Sequence, residues 1–435
     1  MSVSAIETET MARVSRRLIP FLILCYFIAY LDRVNVGFAA LEMNRALGFS
    51  PTVYAWGAGI FFIAYFLFEV PSNIILERVG ARVWIARIML TWGILSGCMA
   101  FIQGPWSLYT VRFLLGIAEA GFFPGIILYL TFWFPAKYRA AIVASFMVAI
   151  PISTVIGAPI SGALLGMNGL LGLAGWQWLF IIEALPAVVL SAVVFFYLTD
   201  RPSEAAWLQP EQRAWLVGKL EEERRSTEAV QHFTLGEALR HPRVIGLGFV
   251  YFGIVASNYG LSFWLPQIVK GFGLSNLATG FVTAIPYACG AVAMILWGRR
   301  SDRAGERVWH TAIPAFGAAV GLGACAVLDL PLATVLLLCF AAVGIFAAHP
   351  TFWTLPTSLL TGAAAAGGIA LINSIGNLAG FVGPYAVGWV RESTGSFSLA
   401  LLALAALPLA AGVLVLVLGH NPALEGRGAA PRAAE

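Results

Sequence analysis

Charge is scarce in this sequence. Only 11% of its 435 residues are Asp, Glu, Lys or Arg, against 60% hydrophobic residues and a mean hydropathy of +0.84. A soluble chain of this length carries about 25% charged residues, so the composition excludes a soluble globular domain and indicates a polytopic membrane protein. Cysteine is also rare. Cys25, Cys98, Cys289, Cys325 and Cys339 all lie in apolar runs with no paired spacing, which argues against a disulfide framework or a cysteine metal site. No Gly-x4-Gly-Lys-Ser/Thr loop is present, which excludes nucleotide-driven chemistry of that kind. The apolar runs hold no nucleophile with an adjacent base and no metal-ligand set, so an enzyme is not expected, and neither is a cofactor. A cleavable signal is not expected either. The first 17 residues are polar and end in Arg13, Arg16 and Arg17, and the apolar run that follows is too long and lacks a small-residue cleavage site.

What is there is a series of apolar runs, each long enough for the roughly 20 residues that cross a bilayer. Twelve fall near 18–41, 53–76, 83–103, 106–132, 140–163, 177–199, 243–266, 278–298, 308–328, 332–356, 366–390 and 396–418. The expected fold is an all-α membrane protein of twelve transmembrane helices in two six-helix halves. The expected layout is an N-terminus at 1–17, one half at 18–199, a polar central loop at 200–242, a second half at 243–418 and a tail at 419–435. Basic residues gather in the N-terminus, in the loops after the second, fourth and eighth runs, and in the central loop. Alternate loops hold only Arg45, Lys270 and Arg391. The positive-inside rule then sets both termini and the central loop in the cytoplasm. In the central loop, Trp207, Leu208, Trp215, Leu216 and Leu220 recur near helical spacing, and Thr234 with Glu237 fits a capping box. Either amphipathic helices at the membrane face or a plain surface linker would satisfy that pattern.

The stretch LIPFLILCYFIAYLDRVNVGFAAL carries Asp32 and Arg33 inside the first run. A charge at that depth costs roughly 2.5–3.5 kcal/mol on insertion scales and normally faces protein or a water-filled path. At about 1.5 Å per residue, Asp32 lies roughly 20 Å into its span, and Arg112, entering from the other side, reaches a similar depth. Arg112 is therefore expected to partner Asp32 in at least one state. Glu119 lies seven residues after Arg112, on the same face and near mid-membrane, where desolvation penalises its charged form. A carboxyl of that kind suits proton coupling. A structural buried pair is the competing reading. Arg33 is a natural clamp for a substrate carboxylate. In the second half, Asn373 and Asn377 are spaced i and i+4. Their amides suit a hydroxylated anion, with helix packing as the alternative. Glu69 reads as part of gating contacts, and His349 as a packed helix-end residue or a pH-sensitive one.

The chain also repeats itself. The loop GRRSDRAGER at 298–307 echoes NIILERVGAR at 73–82. Asp302 meets Glu77, Arg303 meets Arg78, Gly305 meets Gly80 and Arg307 meets Arg82, across 225 positions. Parallel repeats of six spans are a transporter architecture.

This loop, together with YLDRVNVGFA at 30–39, FEVPSNIILERVGAR at 68–82, RFLLGIAEAGFFPGIILYLTFWFP at 112–135 and GNLAGFVGP at 376–384, resembles the major facilitator superfamily. Within it, the chain is similar to the anion:cation symporter family and its bacterial tartrate, phthalate and sugar-acid (aldonate) carriers. The first loop copy departs from the pattern, with Asn73 for Gly and Glu77 for Asp. The resemblance implies a major facilitator fold and a secondary transporter of the bacterial inner membrane. It would import a small hydroxy-carboxylate, tartrate first and aldonates next, with protons. Asp32 and Glu119 would carry protons, supported by Arg112. Arg33, Tyr30 and Tyr65 would meet substrate, and the loop motif would serve the conformational change. The expected partners are substrate, protons and lipid, not nucleic acid, for a protein acting as a monomer. An organic-anion exchanger or facilitator is the rival within transport. A transporter-like sensor is the rival outside it, although the central loop is short for a signalling module.

Overall fold

The computed structural model describes residues 3–229, 240–328, 330–359 and 362–419. Within them the chain is helical and forms no strand. The helices are α1 (Val3–Val34), α2 (Val36–Leu47), α3 (Pro51–Val79), α4 (Ala81–Cys98), α5 (Pro105–Glu119), α6 (Phe122–Thr131), α7 (Ala136–Met147) and α8 (Ala149–Leu164). There follow α9 (Gly175–Tyr197), α10 (Pro210–Ala229), α11 (Pro242–Lys270), α12 (Asn276–Ala304), α13 (Val308–Ala324), α14 (Pro331–Leu359), α15 (Gly362–Thr394) and α16 (Phe397–Leu418). Among the described residues, ten helical stretches are long and apolar enough to cross a membrane, and Val308–Ala324 is a shorter apolar helix. With α15 they match the twelve expected spans in order.

Three of those spans are interrupted, and proline explains two of the breaks. The fourth span stops at Ala120 and resumes after Gly121. Pro124 has no N–H to give the Ala120 carbonyl one turn back, and its ring crowds that carbonyl. Gly121 takes φ +86°, and a Cβ there would lie 2.6 Å from the Ser72 Cβ on α3. The fifth span breaks at Val148 between α7 and α8, where Pro151 removes the donor for Met147 in the same way. The first span has a lighter break at Asn35. Two of these breaks fall directly beside the residues that the sequence singles out, Asp32–Arg33 and Glu119.

Two compact units are present. One comprises Met1–Phe49, Trp56–Val230 and Ser275–Gly280, and the other Ser50–Ala55, Gln231–Leu274 and Phe281–Glu435. In the first unit, α1 is longer than the expected span and starts within the polar N-terminus, where Thr10, Met11 and Val14 are buried. The central segment is a helix over 210–229, packed on α1, rather than a plain linker. Trp207 just before it stacks on Trp133 at 5.3 Å, and Arg17 lies over both Trp207 and Tyr197 at 4.9 and 4.4 Å. Leu208 and Leu216 are buried. Thr234 and Glu237 lie outside the described residues. In the second unit, α11 packs closely on α15 and α16. Small residues allow this: a Cβ on Gly383 would clash with the Ala256 carbonyl oxygen and lie 3.0 Å from the carbonyl carbon.

The two copies of the repeated loop end their helices alike. Gly80 N–H donates to the Leu76 carbonyl at 3.0 Å, and Gly305 N–H to the Ser301 carbonyl at 3.0 Å. Gly80 and Gly305 both have positive φ, +99° and +62°, the conformation that glycine adopts without a Cβ penalty after a helix end. What closes each loop differs. In the first, Asp200, which follows α9, accepts the Arg82 backbone N–H at 2.8 Å. Its carboxylate lies 3.9 Å from Arg82 Nε and 3.1 Å from where a Gly80 Cβ would sit. In the second, Ser301 Oγ donates to the Glu306 carbonyl at 2.7 Å and accepts from Arg307 at 2.9 Å. Glu77, Arg78 and Arg303 are exposed, and the Asp302 side chain lies outside the described residues. Gly80→Ala should lower thermal stability by about 1–3 kcal/mol through backbone strain and slow transport. Thermal unfolding in detergent and initial uptake rates check this, and an unchanged variant would refute the role given to Gly80.

Candidate functional site

In the first unit, two groups of buried charges form around Arg33 and Asp32. The first is built from α1, α3, α5 and the helix break at Ala120–Gly121. Arg33 and Glu119 form an ion pair with both side chains almost fully buried. The guanidinium also sits over the Phe61 and Tyr65 rings at 5.5 and 5.3 Å, a placement in which ring quadrupoles favour a cation. Arg112, 1% exposed, donates to the Gly57 and Ala58 carbonyls at 3.2 and 2.9 Å. It lies over the Phe61 ring at 4.9 Å. Close approach of α5 to α3 makes this possible: Gly116 sits where a Cβ would be 2.9 Å from the Ala64 Cβ.

The second group surrounds Asp32, which is 2% exposed. Its carboxylate accepts from Trp92 Nε1 at 2.7 Å, Ser96 Oγ at 3.0 Å and Asn35 Nδ2 at 3.4 Å. All three donors are neutral. The expected approach of Arg112 to Asp32 is not found in this structure. Arg112 instead ties α5 to the backbone of α3, and the arginine adjacent to Asp32 turns to Glu119. Successive residues on a helix point apart: Asp32 and Arg33 are about 100° apart around α1 and face different partners.

The sequence reading missed one buried acid. Glu183 on α9 is 3% exposed and accepts from Ser161 Oγ at 2.6 Å. The signal was available, because Glu183 is an acidic residue inside an apolar run, as Asp32 is. Phe61, Trp92 and Ser96 carried no such signal, since aromatic and small residues are common in membrane helices.

The remaining expected site residues are placed as follows. Tyr30 and Tyr65 are buried in the first unit, and Tyr65 lies in the Arg33 group. Asn373 and Asn377 are half-buried on one face of α15 in the second unit. Glu69 is buried, and its carbonyl accepts from Asn73 at 2.9 Å. His349 is buried against Tyr251 and Phe346, and neither ring nitrogen has a hydrogen-bond partner among the described residues. No cluster of three or more potential metal ligands occurs among the described residues.

Known proteins resemble this chain over most of its length. The model of the Major Facilitator Superfamily matches residues 22–384. A protein of Agrobacterium vitis named "Putative tartrate transporter" is 54% identical over 428 residues, which is 98% of this chain and 99% of that protein. A "Quinolone resistance transporter" of Acinetobacter baumannii is 44% identical over 90% of this chain and 91% of its own. Among solved structures, the xylose transporter XylE from E. coli superposes with a TM-score of 0.73 at 15% identity, covering 91% of this chain and 95% of that one. At that identity the likeness speaks for the fold alone. A matched family model over most of the chain, relatives aligned nearly end to end, and buried charges set at helix breaks in a membrane protein leave one conclusion: the chain belongs to the Major Facilitator Superfamily and is a transporter of an organic substrate, not an enzyme.

Proposed function

We propose that this protein imports a small hydroxylated carboxylate, tartrate first, by proton symport across the bacterial inner membrane. The observation that carries this reading is the buried Arg33–Glu119 pair. A guanidinium is permanently charged and shaped for a carboxylate. While Glu119 is ionised it occupies that guanidinium. A proton on Glu119 ends the pairing and leaves Arg33 to a substrate carboxylate, held in place by the Phe61 and Tyr65 rings. Proton binding and anion binding then favour each other, and linkage makes the coupling reciprocal. Arg112 positions α5, which carries Glu119, through the α3 carbonyls. Tyr30 and Tyr65 supply hydroxyls, and Asn373 and Asn377 supply amides for the substrate's own hydroxyls. Asp32 is a further proton-carrying acid in this scheme. The 54% identical relative named for tartrate favours that substrate. The relative named for quinolone resistance, at 44%, shows why identity alone does not fix it. The reading includes a monomer with termini and the segment 200–242 in the cytoplasm, and halves at 18–199 and 243–418 that rock against one another, with the two repeated loops in the gate.

Uptake of labelled L- and meso-tartrate into proteoliposomes tests this. Accumulation above the external concentration is expected only under an inward proton gradient. Equilibration that ignores the gradient would show a facilitator, and uptake that needs an internal anion would show an exchanger. Galactonate uptake without tartrate uptake would move the substrate to the aldonates.

A further inference from the structure

Glu183 is a buried acid that the Arg33–Glu119 mechanism does not use. It stands two turns into α9, in a region packed against α1, α2, α4 and α8. The groups these elements bring to it can be named. From α1 comes Asp32, from the break before α2 comes Asn35, and from α8 comes Ser161. From α4, Trp92 and Ser96 turn to Asp32. Asp32 is the one titratable group among the described residues that acts on Glu183, and Glu119 acts in turn on Asp32. No cation contacts either Asp32 or Glu183 among the described residues; Arg33 pairs with Glu119 and Arg112 donates to backbone carbonyls.

Both carboxyls are therefore buried without a counter-ion. An uncompensated buried ion is expensive, and such a group becomes neutral instead. Like charges held close together do not both ionise. The hydrogen bonds distinguish the two acids. Asp32 has three neutral donors, which stabilise a carboxylate. Glu183 accepts from Ser161 at Oε1, with the Asn35 amide beside it, and its Oε2 has no hydrogen-bond partner among the described residues. We propose that Glu183 is a second proton-holding site of the transporter, paired with Asp32 and separate from the Arg33–Glu119 pair. It releases its proton within the transport cycle when the environment of Asp32 changes. The release step rests on the proton-symport reading above, whereas the presence of the proton does not.

The test has two arms, and the first needs no transport. Infrared difference spectra of purified protein in bilayers, wild type minus Glu183→Gln, should show the carbonyl stretch of a protonated carboxyl, shifted by exchange into heavy water. Glu183→Asp should retain a band, and Asp32→Asn should displace it. Superimposable wild-type and Glu183→Gln spectra would overturn the proposal, provided that thermal unfolding shows the variant folded. If Glu183→Gln does not fold, the displacement in Asp32→Asn and retention in Glu183→Asp decide, and a spectrum unmoved by either overturns it. The second arm is steady-state accumulation at an imposed gradient of one pH unit. Losing one transported proton lowers the limiting accumulation about tenfold. A band with unchanged accumulation would refute release during the cycle. Wild-type transport that ignores the gradient would refute symport, while the spectrum still decides whether Glu183 holds a proton.

Discussion

Glu119→Gln is expected to abolish proton-driven accumulation of tartrate while leaving exchange of internal for external tartrate intact. The amide keeps the volume and one acceptor of the carboxyl but cannot ionise. Arg33 then has no competing anion and stays available to substrate through the whole cycle. One pH unit is worth about 1.4 kcal/mol per proton, or about tenfold in concentration, so a gradient that concentrates substrate at least tenfold in the wild type should bring the variant only to equality. The variant also leaves a buried cation without its anion, and breaking a buried pair costs about 3–5 kcal/mol. Its melting temperature should fall in empty membranes and recover at saturating tartrate, because a substrate carboxylate replaces the missing charge and ligand binding stabilises by mass action. Proteoliposome uptake, counterflow and thermal unfolding with and without tartrate measure the three effects. A variant that still accumulates substrate would remove Glu119 from the coupling.

Arg33→Lys is expected to raise the KM for tartrate by roughly 10- to 100-fold, with little change in expression. An ammonium keeps the charge but loses the planar fork that meets a carboxylate with two hydrogen bonds, and it loses much of the stacking on Phe61 and Tyr65. Hydrogen bonds to charged groups are worth about 1.5–3 kcal/mol, and about 1.4 kcal/mol is tenfold in affinity. Arg33→Ala should abolish transport and destabilise the fold, since Glu119 loses its counter-ion. Adding Glu119→Gln to Arg33→Ala should restore part of the lost stability, because the two residues interact and their effects are not additive. A KM unchanged in Arg33→Lys, or a double variant no more stable than Arg33→Ala, would count against the pair as the substrate switch.

Much of the site was legible because charge in an apolar run is costly. Asp32, Arg33, Arg112 and Glu119 each stand out on that ground, and each is buried in the structure. Their pairing was not legible. Depth along separate helices placed Arg112 level with Asp32, but depth says nothing of rotation. Arg33 turned to Glu119, and Arg112 found backbone carbonyls of α3. Glu183 obeys the same cost rule and went unread, although its partner Ser161 lies 22 positions away on another helix and no spacing would have joined them. The helix breaks were readable in part. Pro124 and Pro151 announce two of them, whereas Asn35 has no proline to mark it.

By itself, the sequence determined a helical membrane protein, its order of spans and its repeated loop, because hydropathy and the reach of a helix act locally along the chain. The same local rules settled glycine at both loop ends, where the chain needs positive φ. Only the tertiary structure decided which charge meets which. A buried ion takes whatever partner the packing of α1, α3, α5 and α9 brings within hydrogen-bond reach, and that packing depends on contacts between residues far apart in the chain.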